Sequence, residues 1–166
     1  MADVLKYGWS HGGKQGHEAK CAKTQYFSRL GCAFVTASGA TGVMKLVTAS
    51  TDDVIGWAEV PRPGWSTSDA TKDYFQSSST VGKDKIHVIT DPTAVYACRT
   101  NESVGSVTAS LVGRFVCASA EGSTTSLVQK VYAKASTVAS HQQFFVVGAD
   151  TDNRVLFVRI NPHHII

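Results

Sequence analysis

Apolar and polar side chains alternate with a period of two over much of this chain, and the alternation is broken by turn-forming clusters. Lys85-Ile86-His87-Val88-Ile89-Thr90 sets Ile86 and Val88 on one face, as a half-buried strand does. Strands are also expected over Cys32–Thr36, Val43–Thr48, Val54–Val60 and Ala94–Arg99, separated by Ala37–Gly42, Asp52-Asp53, Pro61–Gly64 and Asp91-Pro92. Val107–Ser119 reads as a strand region bent at Gly113. Leu127–Ala135 fits either a helical face or a strand, and its neighbours favour the strand. Residues 64–84 form a long polar loop, compatible with a helical turn over Asp69–Phe75 capped by Ser66 or Ser68. The strongest pattern is the last one. Phe144–Gly148 and Val155–Asn161 flank the polar stretch Ala149–Asn153, which predicts a β-hairpin. Its second strand turns Leu156, Val158 and Ile160 to one face and Val155 and Phe157 to the other. A strand apolar on both faces needs cover on both, from a second sheet, a barrel interior or a partner subunit.

Eight to ten short strands predict an all-β fold, a single β-barrel or β-sandwich (jelly-roll-like) domain. Composition agrees. Val and Thr together number 36 against 6 Leu in 166 residues, and stiff β-branched side chains suit a pleated sheet. Residues 1–30 differ in texture, with Gly, Lys and His predominating, no sustained period, and Tyr7, Trp9, Tyr26 and Phe27 spaced along them. They read as an extended N-terminal arm whose aromatics are anchors, ahead of a β-rich domain over residues 31–166. The arm holds five basic residues, Lys6, Lys14, Lys20, Lys23 and Arg29, against Asp3 and Glu18, which accounts for the whole net charge of +3. Such an arm suits an acidic partner surface or nucleic acid, or is a solvated start of chain. Its basic residues are too dilute for a specific nucleic-acid site. Ser and Thr number 33 and charged residues are only 17%, so small hydroxyl side chains cover much of the surface. No leader peptide and no membrane span are expected.

Chemistry is sparse. Gly8-Trp9-Ser10-His11-Gly12-Gly13-Lys14 has the glycine and lysine spacing of a phosphate-binding loop, but Gln15 stands where a Ser or Thr would hold magnesium. His11, His17 and Cys21 lack the further ligands of a tetrahedral metal site. No G-x-S-x-G elbow occurs. Asp52-Asp53 and the Asp150/Asp152 pair read as turn formers, although the latter spacing also suits calcium. Cys21, Cys32, Cys98 and Cys117 form no C-x-x-C pair; Cys98 and Cys117 look like small core residues, with a bridge between them as an alternative. No enzyme, cofactor or metal is expected.

The order Asp52-Asp53-Val54-Ile55-Gly56-Trp57-Ala58, then Ile86-His87-Val88-Ile89-Thr90-Asp91-Pro92-Thr93-Ala94-Val95-Tyr96, then Val146-Val147-Gly148-Ala149-Asp150-Thr151-Asp152-Asn153 with Val155–Asn161 and His163, resembles the head decoration (cement) proteins of tailed bacteriophages. Those proteins often carry a V-I-x-D-P-x-A-V-F/Y segment and a closing D-N-x-x-V-x-V-x-I-N-x-H. The resemblance spans roughly 60 residues, and its motifs are structural. It implies a non-enzymatic virion protein that binds the outer surface of the major capsid protein lattice. The partner-binding residues would be Tyr7, Trp9, Lys14, Lys20, Tyr26, Phe27 and Trp65. A homo-oligomer, most naturally a trimer on a local symmetry axis, would use Val155, Phe157, Ile165 and Ile166 between subunits. A tail or fibre module that binds glycans is the alternative.

Overall fold

The computed structural model describes residues 7–39, 41–60, 74–121 and 128–162. Among them are fourteen strands and no α-helix. The first eight are β1 (Gly8–His11), β2 (Gly16–Lys20), β3 (Tyr26–Ser28), β4 (Phe34–Ala37), β5 (Met44–Leu46), β6 (Gly56–Glu59), β7 (Tyr74–Gln76) and β8 (Lys85–Ile89). The other six are β9 (Val95–Asn101), β10 (Phe115–Val116), β11 (Ala118–Glu121), β12 (Val128–Tyr132), β13 (Phe144–Asp150) and β14 (Val155–Ile160). The fold is all-β and barrel-like, as the alternation of the sequence requires.

One sheet has the order β2-β8-β6-β4-β5, and its two edges come back together. Cys21, just after β2, forms a parallel bridge with Met44 of β5, and the Ala22 amide donates to the Met44 carbonyl at 2.8 Å. The sheet thus nearly closes into a small barrel. Residues opposite one another across an antiparallel pair share a face. The register therefore sends Ala19, Val35, Leu46, Ala58, Ile86 and Val88 inward, and all six are buried. The outer face is divided along its length. Phe34, Trp57 and Ile89 are buried at one end, whereas Glu59, His87 and Glu18 line the other.

A second sheet, in the order β10-β13-β14-β9-β12-β11, covers that apolar end. Strand β9 is its axis. One edge pairs with β14; the other is shared by β1, opposite Ala97–Val95, and by β12, opposite Thr100 and Asn101. Between the sheets, Phe34 meets Trp57, Tyr96 and Phe144 at ring-centroid distances of 4.7, 5.5 and 4.2 Å, and Trp57 stacks on Tyr96 at 5.2 Å. Such pairs contribute about 0.5–1.5 kcal/mol each beyond the area they bury.

Two buried glutamines complete the join. Gln129 of β12 accepts the Phe34 amide at 2.8 Å and donates to the Phe34 and Val47 carbonyls, both at 2.9 Å. Gln143, just before β13, accepts the Ala118 amide and donates to the carbonyls of Ala49 and Asp52. Each primary amide acts as an extra peptide group for buried backbone, and at the Phe34 carbonyl it adds to the Val47 amide, which donates at 3.0 Å.

The closing hairpin forms as the pattern predicts. Asp150 accepts both the backbone amide and the side-chain amide of Asn153 at 2.9 Å, which shapes the turn. Leu156, Val158 and Ile160 enter the core. Asn161 then ties the end of β14 back through its amide to Gln143 and through its side chain to Gln142.

Three expectations change, and the reading of Cys98 and Cys117 as small core residues holds. Residues 8–28 are extended but are not an arm apart from the body, because β1, β2 and β3 pair with β9, β8 and β7. Val107–Ser119 is not one bent strand. A 3-10 turn over Ala109–Leu111 precedes Gly113, whose φ of +81° reverses the chain before β10. Tyr74 and Phe75 are in β7 and not in a helical turn, because they pair with Ser28 and Phe27 of β3; the rest of that expected turn lies outside the described residues. Cys98 and Cys117 are buried thiols with no bridge between them.

Gln129→Ala should be among the most destabilising polar substitutions. It strips the partner from the Phe34 amide and from the Val47 carbonyl, at about 1–3 kcal/mol for each group left unsatisfied, while the Phe34 carbonyl keeps the Val47 amide. Urea denaturation should show a loss of about 3 kcal/mol or more, while Ser110→Ala on the exposed 3-10 turn should leave the midpoint in place. Equal midpoints for Gln129→Ala and the parent would refute the role given to this side chain.

Candidate functional site: an aromatic and basic groove

Strand β1 lies on the outer edge of β9 with Trp9 opposite Tyr96. The chain then reverses at Gly12, whose φ is +88° and whose Cβ, had it one, would run into the Thr93 carbonyl. Glycine is the residue that tolerates both constraints. The next residues dock on the corner between β8 and β9. The Gly13 amide donates to the Thr93 hydroxyl at 2.9 Å, and the Gln15 amide to Asp91 Oδ2 at 3.3 Å. Thr93 donates to Asp91 Oδ1 from both its hydroxyl, at 2.6 Å, and its amide, at 2.9 Å. These donors, the Thr93 hydroxyl foremost, hold the Asp91 carboxyl below the usual carboxylate range, against a smaller opposing effect of burial.

This docking returns Lys14 over its own strand. The Trp9 indole donates to the Gly13 carbonyl at 3.1 Å, and Lys14 Nζ lies 5.4 Å from the centre of the Trp9 ring. The same ammonium meets Glu59 Oε1 at 2.6 Å, and His87 Nε2 stands 3.9 Å from the other Glu59 oxygen. All three partners of this chain of charges are solvent-accessible, so the ion pairs fix geometry more than they stabilise the fold. Lys14 and Glu59 border a groove of about 700 Å³ lined also by Tyr7, Trp9, Arg29 and Trp57 among others. Trp57 is 5% exposed, whereas Trp9 is 40% exposed. The groove therefore pairs a fixed aromatic wall with an accessible one, rimmed by charge.

Of the residues expected to contact a partner, Tyr7, Trp9 and Lys14 come together here. Lys20 does not; it is exposed on β2, with its aliphatic stem near Gly82. Tyr26 stacks on Tyr74 across β3 and β7 at 4.1 Å. Phe27 is wholly buried in the chain's own core, because β3 is laid onto the body, and so it is not a partner anchor. Trp65, Ile165 and Ile166 lie outside the described residues. At the expected subunit face, Val155 is 4% exposed and belongs to this chain's interior. Phe157 is half-buried with its ring over Gly148. Sequence reasoning missed Glu59 as a groove residue, and it noted Arg29 as a basic residue and Trp57 as an aromatic without bringing them to Trp9. The signal was the spacing of Trp57 and Glu59, two apart in one strand and so on one face, where burial gives way to charge.

The glycine-lysine spacing of residues 8–14 does not make a phosphate loop. The Gly13 and Gln15 amides are engaged by Thr93 and Asp91, a carboxylate occupies the position facing them, and Lys14 is held by Glu59. The His17 and Cys21 pair does not converge either. His17 is exposed, while the Cys21 thiol is buried and pushed up to about 11, chiefly by burial and then by Asp84. Among the described residues no three His, Cys, Asp or Glu side chains group as a metal site would. No family model, curated protein or solved structure matches the chain.

The Asp91 corner gives a pH signature. A carboxyl held below its ordinary value favours the folded state above about pH 4, the unfolded value, and loses that contribution as pH falls further. The urea midpoint of the parent should therefore fall as pH is lowered from 5 toward 3, and Asp91→Asn should be less stable at neutral pH with a shallower fall. Parallel profiles for the two proteins would show that the corner carries no linkage.

Proposed function

We propose that the protein is a non-enzymatic capsid decoration protein. In this reading it sits on the virion surface and binds the outside of the major capsid protein lattice through the face that carries the groove. One observation supports this above the others. Two of the three stretches that resemble phage decoration proteins are far apart in sequence but adjacent in the fold. Strand β14, from the closing stretch, pairs with β9 at Val158 and Tyr96, and β9 follows directly from the Asp91-Pro92 corner. Strand β1, with Trp9, lies on the opposite edge of β9 at the same Tyr96. The family-like residues thus build the support on which the groove is laid.

A binder of a repeating lattice gains from several modest contacts made together. Trp9 and Lys14 suit such a contact, since an accessible aromatic and a solvent-accessible cation held beside it each add affinity without a deep pocket. A trimer on a local symmetry axis fits the same purpose, with half-buried Phe157 as a candidate subunit contact. The second reading, a glycan-binding tail or fibre module, draws on the same groove, because a partly exposed indole beside paired charges also suits the apolar face of a sugar.

Sedimentation with undecorated capsids should carry the protein into the pellet, and a glycan array should remain silent. Array binding without co-sedimentation would replace the first reading by the second. Trp9→Ala with Lys14→Ala should weaken capsid binding about tenfold or more, equivalent to about 1.4 kcal/mol, with an unchanged far-ultraviolet spectrum. Light scattering should give a trimer that Phe157→Asp disperses; an unchanged mass for that variant would remove Phe157 from the subunit contact.

A further inference from the structure

Cys32 and Cys98 are distant in sequence and adjacent in space. Strand β9 parts from β12 beyond Thr100, where it turns to pair with β14 and β1. The segment ahead of β4 fills that gap. The Cys32 amide donates to the Gln129 carbonyl at 2.7 Å, and Arg99 Nη1 donates to the Leu30 carbonyl at 2.9 Å. Gly31 leaves no room for a side chain against Gln129. This wedge sets Cys32 Sγ 3.7 Å from the Arg99 carbonyl, while Cys98 Sγ lies 3.7 Å from the Tyr96 carbonyl. Cys32 lies opposite Gln129, two residues before Val131, and Cys98 lies two residues before Thr100, the partner of Val131, so the two thiols share one face of the sheet. They are 1% and 0% exposed. Cys21 and Cys117 have no such neighbour among the contacts of the described residues.

We propose that Cys32 and Cys98 form a disulfide when the chain folds in contact with a small-molecule disulfide such as glutathione disulfide, stapling the lead-in of the barrel to the central strand of the covering sheet. The thiolate of one cysteine attacks a sulfur of glutathione disulfide, which breaks that S–S bond and releases one glutathione thiolate. The thiolate of the second cysteine attacks the protein sulfur of the mixed disulfide, releasing the other. Two protein thiols are oxidised, one glutathione disulfide is reduced to two glutathiones, and the two protons leave with them. Burial, followed by the neighbouring thiol, pushes the Cys98 thiol well above its ordinary value in the folded protein. The reduced pair is shielded once folding is complete, and exchange belongs to states in which the 29–33 segment is open. The bond closes a loop of more than sixty residues, a length at which cross-linking strongly restricts the unfolded chain.

The test is refolding of the full chain from denaturant in a glutathione and glutathione disulfide buffer, with a parallel incubation of folded protein in urea below the midpoint. The expected product is lighter by two hydrogens, yields a Cys32–Cys98 cross-linked peptide on non-reducing digestion, and leaves Cys21 and Cys117 open to alkylation after unfolding. Its urea midpoint should be raised and return to the starting value with dithiothreitol. A Cys21→Ser, Cys117→Ser variant should give the same cross-link, and Cys32→Ser should give none. Retention of four alkylatable thiols in both incubations, or a cross-link through Cys21 or Cys117, overturns the proposal.

Discussion

Phe34 is where the two sheets are held to each other, and most of the structure depends on that hold. Its ring contacts Trp57 within the barrel sheet and Tyr96 and Phe144 in the covering sheet. Its amide and carbonyl are both taken by the side chain of Gln129. A barrel strand that packs on both faces has little freedom to find its backbone partners, and one primary amide resolves the conflict at the residue where packing is densest. Polar satisfaction and ring packing at Phe34 are therefore one constraint. Aromatic geometry fixes how the sheets face each other, and the glutamine fixes their register.

The groove is a consequence of the same join. Trp57 stacks on Tyr96 at 8° between ring planes, so the aromatic wall of the groove is also part of the inter-sheet core. Trp9 lies opposite Tyr96 on the next strand, and Lys14 reaches Glu59, two residues beyond Trp57. A rigid interior thus positions an accessible rim. This is the arrangement by which a surface can present an aromatic and a charge at low ordering cost. The Asp91 corner serves both purposes, since it moves the chain between sheets and anchors the loop that carries Lys14.

Much of the fold was legible from the pattern. Strands β4, β5, β6, β8, β9, β12 and the β13–β14 hairpin fall where alternation placed them. Ile86 and Val88 face inward as their spacing implies, and Asp150 with Asn153 shapes the turn that the polar stretch announced. The groove was only half legible. Tyr7, Trp9 and Lys14 stood out as aromatics and a cation in an unpatterned segment. Phe27 stood out for the same reason and is core, because a buried and an exposed aromatic look alike where no periodicity orients them.

What the sequence determined by itself is local: which residues extend, where the chain turns, and which side of each regular strand is apolar. Those follow from sterics and from a period of two, and need no partner. Only the tertiary structure decided that residues 8–28 join three different strands, that Gln129 and Gln143 serve backbone groups more than eighty residues away, and that Cys32 meets Cys98. The reason is that backbone hydrogen bonding is unspecific along the chain. Any extended segment offers the same donors and acceptors, and which edge it joins is set by the shape and unmet hydrogen bonds of surfaces that exist only once the rest has folded.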